Sequence, residues 1–255
     1  MGRVADWAGT IAFSVFFGLT LLVFDVLLRL VTPLGKRPLE RVGVWFQTAL
    51  VGVYRFAGIR PELERSSAVR DGTPYILVSN HQSMFDIPLF AWALPKNFPK
   101  YISKRSLARW IPGISYNLRH GGHALIDRSD RDSAVKAIRT LARAVTADGS
   151  SVVIFPEGTR GRDGRLAPFK PAGSLALLEE APDASVVPIC IHDSWRIMEH
   201  GFRPVPFGIH LRMWIGDPIP RSPDEDRAAL LAAVELQIAD RLARFRAEDG
   251  LDPAD

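Results

Sequence analysis

Pro74-Tyr75-Ile76-Leu77-Val78-Ser79-Asn80-His81-Gln82-Ser83-Met84-Phe85-Asp86 runs from an apolar stretch into a polar turn, and a second apolar stretch, Ile87 to Leu94, follows and ends at Pro95. A short apolar run bounded by turn residues reads as a buried strand, and the longer segment after it as a helix. Strand, polar turn and helix together form the repeating unit of an α/β sheet. Working outward, His123 to Asp127, Ser151 to Phe155, Ala184 to His192 and Ile209 to Ile215 read as further strands. Ala134 to Ala147 reads as a helix, because Val135, Ile138, Ala142 and Val145 recur at three- and four-residue spacing before Gly149 releases the chain. Ser222, Pro223 and Glu225 predict a capping box for a C-terminal helix that carries Leu230, Leu231, Val234, Ile238, Leu242 and Phe245 on one face. The expected fold is α/β, with a central, mostly parallel or mixed sheet flanked by helices.

The 255 residues fit one large domain with an appendage better than two equal domains. The appendage is N-terminal. From Trp7 to Phe24 the chain carries no charge, and only Asp25 and Arg29 interrupt apolar character up to Val31. That reaches the roughly 18 residues needed for a membrane-crossing helix. A second apolar stretch, Val42 to Tyr54, is too short to cross and should return against the first or lie in the interface, where Trp45, Phe46 and Tyr54 suit the depth. Residues 1–60 are therefore expected to form a membrane-anchoring helical hairpin, and residues 61–255 the α/β domain. Lys36, Arg37, Arg41, Arg55 and Arg60 all follow the first helix, which places that side at the cytoplasmic face of the inner membrane. The net charge of +4, from 32 Lys and Arg against 28 Asp and Glu, suits an anionic partner. The single cysteine, Cys190, forms no intrachain disulfide and reads as a small core residue.

The strand at 74–79 delivers His81 to its C-terminal end, and Asp86 sits five positions on, near the start of the next helix. Open α/β sheets bind ligands at that edge, so a base and the carboxylate that orients it are candidates there. Phe155-Pro156-Glu157-Gly158-Thr159-Arg160 leaves another strand in the same way. Glycine permits close backbone approach to a phosphate, threonine donates a hydrogen bond and arginine offers a planar fork. Seven basic residues lie between Lys96 and Arg128 against one acid, Asp127. Lys96, Lys100 and Arg109 read as a solvated face, whereas Lys104 and Arg128 each end a strand-like segment and can face the pocket. Ser83 has no Gly-x-Ser-x-Gly elbow around it and reads as turn support.

These blocks resemble the lysophosphatidic acid acyltransferases, also called 1-acylglycerol-3-phosphate acyltransferases, of the glycerolipid acyltransferase superfamily. The resemblance rests on Asn80-His81 through Asp86; on Lys104, Leu107, Pro112-Gly113, Gly122 and Ile126-Asp127-Arg128; on Phe155 to Arg160 with Phe169-Lys170 and Gly173; and on Val187-Pro188-Ile189. It covers about residues 75 to 190 in the family order. Leu125 stands where the family usually has an aromatic residue. His120, His123, His192, His200 and His210 match no family role and read as surface or structural.

The resemblance implies transfer of a fatty acyl group from an acyl thioester, acyl-CoA or acyl-ACP, to 1-acylglycerol-3-phosphate, giving phosphatidic acid. It casts His81 as general base and Asp86 as its orienting partner. Lys104, Arg128, Glu157, Gly158, Thr159 and Arg160 become substrate-binding residues, with no metal and no cofactor beyond the thioester. The implied partners are the two lipid substrates, the bilayer and, as one donor option, acyl carrier protein, with no nucleic acid. Two alternatives stand beside it: another lysolipid acceptor, ornithine-linked or lysophosphatidylglycerol, and a noncatalytic basic protein that binds lipid or nucleic acid.

Overall fold

The structure, a computed structural model, describes residues 2–127 and 129–251. Helix α1 (Gly2–Val31) leads through a 3-10 turn and Gly35, at φ 101°, into α2 (Lys36–Val53). Seven strands follow: β1 (Glu62–Arg65), β2 (Ile76–Ser79), β3 (Lys100–Lys104), β4 (Ala124–Ile126), β5 (Val152–Ile154), β6 (Val186–His192) and β7 (Arg212–Ile215). Between and after them lie α3 (Ile87–Ala93), α4 (Ile114–His120), α5 (Arg131–Asp148), α6 (Pro171–Glu180) and α7 (Arg227–Glu248).

The strands form one sheet in the order β1-β7-β6-β2-β5-β3-β4. From β6 to β4 all neighbours are parallel, β7 runs antiparallel to β6, and β1 runs parallel to β7. The expected mixed α/β sheet is thus what forms. Its central strands are apolar throughout because both faces are covered, as parallel sheets require. Successive side chains alternate between two cores. Leu77, Val153, Val187 and Ile189 face a cluster with α3 and the end of α2, whereas Ile76, Val78, Val152 and Cys190 face one with α5, α6 and α7. Burial pushes the Cys190 thiol far above its ordinary value, in keeping with a core role.

The hairpin does not stand apart from the sheet. Phe13 of α1 and Val51, Val53 and Tyr54 at the end of the hairpin belong to the same core cluster as β2, β5 and β6. A second seam joins Leu28 to Leu39, Val42, Phe46 and Leu50, with Tyr116 of α4 packed into it. The opposite side of α1 is bare. Ile11, Val15, Leu19, Leu22, Val26 and Leu30 are each more than half exposed. Arg3–Leu34 has the length and composition of a membrane-crossing helix, and its most apolar 18 residues have a mean hydropathy of 2.4.

Phe46 and Tyr54, expected at the interface, are buried in these cores, and three further readings of the sequence change. Lys100 is buried rather than solvated, because its ammonium meets the buried carboxylate of Glu40 at 2.6 Å and the Gly121 carbonyl at 2.9 Å. The C-terminal helix is capped by Asp226, which accepts from Ala228 and Ala229 N–H, while Ser222 and Glu225 form a turn before it. Strand β1 was not anticipated, since Glu62-Leu63-Glu64-Arg65 sits on an edge where polar side chains reach water and the apolar alternation is lost.

Candidate active site

Because β6, β2, β5, β3 and β4 are parallel neighbours, their C-terminal ends lie along one edge of the sheet. His81 follows β2, Glu157 follows β5, Lys104 ends β3 and Asp127 follows β4, so the candidate blocks are gathered by strand order.

The turn after β2 is held tightly. Asn80 pairs with β6 through its side chain, donating to Ile191 O at 2.8 Å and accepting from Ile191 N at 2.7 Å. His81 Nδ1 lies 2.8 Å from Asp86 Oδ2. The same oxygen accepts from Gln82 N at 2.7 Å and Ser83 N at 2.9 Å, and Oδ1 accepts from the Ser194 hydroxyl. Asp86 is wholly buried, and these four donors satisfy the carboxylate that apolar surroundings would otherwise penalise. An accepting carboxylate at Nδ1 assigns the proton there and leaves the Nε2 lone pair able to accept one. The imidazole stacks on Phe155, with centroids 4.1 Å apart and planes at 19°, and its side chain is 11% exposed. Ser83 caps the short 3-10 helix Met84–Asp86, accepting from Phe85 N, so it supports the turn.

The hairpin reaches this turn directly. Tyr54 donates its hydroxyl to Phe85 O at 2.8 Å, and Phe85 packs edge-on against Phe13 and Phe17 of α1. The residue next to Asp86 is thus seated on the helix that carries the bare apolar face.

The loop after β5 brings Glu157 and Gly158 beside His81, but not as a row of ligand-facing groups. Glu157 is buried, with Oε1 accepting from His81 N at 2.6 Å and Oε2 from Ala167 N at 2.8 Å. Each oxygen thus accepts from a backbone N–H, which ties the His81 peptide to the far side of the 158–167 loop. That is a positioning contact, a role that the reading of Glu157 as substrate-binding does not include. Gly161 N closes the loop onto His81 O at 2.8 Å. Gly158 turns at φ 70°, and a Cβ there would meet Lys170 Cδ at 3.4 Å and Nζ at 3.6 Å. Thr159 and Arg160 are exposed on this loop, as is Lys104 at the end of β3. Arg128 lies outside the described residues.

Burial pushes the Glu157 carboxyl up to about 7, against the opposing pull of the two amide donors. A raised acid pKa favours the protonated folded state, so its contribution is full below about pH 4.5 and fades as pH rises through about 7. Glu157→Gln should remove this pH dependence between those limits. It should also cost roughly 1–3 kcal/mol, because the amide NH2 is turned against a backbone N–H. Thermal melts of both proteins across that range check the expectation.

Ser194 and Phe155 as site components were not legible beforehand. Phe155 opens the Phe155–Arg160 block, but no sequence signal points to its stacking on His81, and Ser194 meets Asp86 only because β6 lies beside β2. Among the described residues one cluster has metal-ligand spacing: His192, Asp193 and Asp249, whose donor atoms lie within 4.8 Å of one another. Arg212 already bonds Asp249 Oδ2 at 2.7 Å and His192 bonds the same oxygen at 2.8 Å, so a cation would have to displace a guanidinium.

The protein-family model described as Acyltransferase matches residues 60–192, just over half of the 255 residues and every block gathered at this edge. The chain belongs to the acyltransferase family. Curated relatives of this acyltransferase include a 1-acyl-sn-glycerol-3-phosphate acyltransferase of Cocos nucifera, 36% identical over 54% of this chain and 44% of the relative. Another, the human 1-acyl-sn-glycerol-3-phosphate acyltransferase beta, is 30% identical over 60% of this chain and 54% of the relative. The matched part of the chain thus spans about half the length of such relatives. Among solved structures, the crystal structure of the LPA acyltransferase PlsC from Thermotoga maritima superposes with a TM-score of 0.79. It is 20% identical and covers 97% of this chain and 98% of its own, so the acyltransferase shares that fold from the hairpin to α7.

Proposed function

We propose that this acyltransferase moves a fatty acyl group from an acyl thioester to the free hydroxyl of 1-acylglycerol-3-phosphate, giving phosphatidic acid. The observation that carries the reading is the 2.8 Å bond from His81 Nδ1 to a fully satisfied, buried Asp86 at the ligand-binding edge of the sheet. Nε2 takes the hydroxyl proton as the oxygen attacks the thioester carbonyl. Asp86 holds the tautomer and stabilises the imidazolium that forms. The tetrahedral intermediate then expels the thiolate, which takes the proton back from Nε2. No acyl-enzyme and no metal enter these steps. Acyl-CoA or acyl-ACP supplies the thioester.

Lys104, Arg160 and Arg128 supply cations for the acceptor's phosphate, with Thr159 as a hydroxyl donor. A charge-assisted bond lost to alanine is worth about 1.5–3 kcal/mol, so Lys104→Ala and Arg160→Ala should each raise KM for the phosphate-bearing acceptor roughly 10- to 100-fold. Steady-state kinetics on monoacylglycerol, which lacks the phosphate, should change far less.

The hairpin is read as lying in the cytoplasmic leaflet of the membrane. Support comes from its fastening along its length: Asp6 accepts from Phe207 N at 2.8 Å, Thr10 from Val205 N at 2.8 Å, and Asp25 from Gly113 N at 2.8 Å. A helix bound to the body at both ends keeps its bare side parallel to the surface it meets. The test is a panel crossing acyl-CoA and acyl-ACP with lysolipid acceptors on the purified protein. Preference for lysophosphatidic acid supports the proposal; preference for an ornithine-linked acceptor or lysophosphatidylglycerol overturns its choice of substrate.

A further inference from the structure

Directly after Lys104 the chain forms a short 3-10 helix (Arg105–Ala108) and a loop that ends at Gly113. Trp110 at its tip is 97% exposed, and Leu107 is 44% exposed. Trp110 also has φ 68°, a left-handed conformation that is costly for a bulky L residue. An indole held in water on a strained backbone gains nothing for the fold.

The loop is nevertheless firmly built. Ser115 donates its hydroxyl to Leu107 O at 2.9 Å and accepts from Ile111 N at 2.9 Å, while Arg119 donates to Ala108 O at 2.8 Å. Its end abuts α1. Gly113 N donates to Asp25 at 2.8 Å, and a Cβ on Gly113 would stand 3.0 Å from Leu21 O. On α1 the neighbouring positions Leu22 and Val26 belong to the bare apolar face. From Lys104 to Gly113 there are three cations, Lys104, Arg105 and Arg109, and no acid.

We infer that the 105–112 loop is a second membrane-docking element, which inserts Trp110 and Leu107 at the headgroup boundary of an anionic bilayer. This inference rests on the membrane reading of α1 given above and extends it to the rim of the active site. A tryptophan suits that depth, with its ring among the upper methylenes and its N–H among the headgroups. Arg105 and Arg109 meet anionic headgroups beside it. The loop leads out of Lys104, so seating it on the bilayer places the phosphate-binding cation at the level where a lysolipid's phosphate lies. The acceptor then reaches His81 while its chain stays in the membrane.

The test uses the full-length protein and phosphatidylglycerol-containing vesicles with brominated acyl chains, which quench a nearby indole. The chain has six tryptophans, so the emission of Trp110→Phe is subtracted from that of the wild type to isolate Trp110. Quenching of the isolated signal is expected. Trp110→Gly relieves the left-handed backbone, so its melting temperature should equal or exceed that of the wild type while vesicle affinity falls about tenfold. Turnover of the same acceptor in detergent micelles should stay within about twofold. Vesicle-bound enzyme whose Trp110 signal is unquenched, or Trp110→Gly with unchanged affinity, overturns the loop's role while leaving that of α1 intact. Wild-type protein that fails to bind vesicles at all overturns both. Trp110 buried in a detergent-stable dimer, detected by its loss in Trp110→Gly, overturns the lipid assignment in favour of a second copy.

Discussion

His81→Ala is expected to lower kcat for acyl transfer by about 10² to 10⁴ while leaving the melting temperature within a few degrees of wild type. The first half follows from the position of Nε2: it is the free nitrogen of a ring whose Nδ1 is fixed to Asp86 at 2.8 Å. The second follows from the donors that remain. Without the imidazole, Asp86 still accepts from Gln82 N, Ser83 N and the Ser194 hydroxyl, so no buried charge is left bare. Phe155 loses its stacking partner, a modest change because the His81 side chain is itself near the surface. The same reasoning makes Asp86→Asn a poorer probe. With its carbonyl oxygen kept on Gln82 N and Ser83 N, its amide NH2 would face the Ser194 hydroxyl, which must turn round to accept, so lost activity would mix the lost charge with a rearranged buried network. Initial rates at saturating donor and acceptor, beside a thermal melt, separate the two effects. Unchanged turnover in His81→Ala would remove the base from the mechanism.

How much of this was legible in the residues depends on the range of the interaction. β2, β5 and the pair His81–Asp86 are readable because each is local: an apolar run, a turn, and a carboxylate five positions beyond a histidine. Parallel strand order then explains why distant blocks converge, once β2, β5 and β3 are known to be neighbours. The partners that complete the site come from farther away. Ser194 reaches Asp86 from beyond β6, and Glu157 binds the amide of His81 rather than any side chain that a motif would display. A carboxylate that accepts from two backbone N–H groups looks the same in sequence as one aimed at a ligand. The hairpin misled in a related way. Its composition describes the bare face of α1, whereas Phe13 and Tyr54, which belong to the core, are indistinguishable from lipid-facing aromatics until the sheet is present.

Lys100 shows the largest consequence of such a hidden contact, for Glu40→Ala is expected to cost about 3 kcal/mol or more of stability. Glu40 on α2 and Lys100 on β3 are both buried, 2.6 Å apart, and among the described residues the other hydrogen-bond partner of the Lys100 ammonium is the Gly121 carbonyl at 2.9 Å. Removing one member of a buried pair leaves the other charge uncompensated, typically at about 3–5 kcal/mol. For a chain of this size that corresponds to a fall in melting temperature of roughly 10 °C. Burial already holds the Lys100 ammonium below its ordinary value even with Glu40 opposing, and the loss of Glu40 should lower it further. A lysine whose folded pKa is depressed takes up protons more readily when unfolded, so stability rises with pH from the folded value towards about 10.4. The deficit of Glu40→Ala against wild type should therefore shrink as pH is raised from 7 towards 10. The double variant Glu40→Leu with Lys100→Met, which replaces both charges by apolar groups, should recover most of the loss at every pH. A deficit that is constant with pH, or a double variant no better than the single, would show that the contact between hairpin and sheet is held by packing alone.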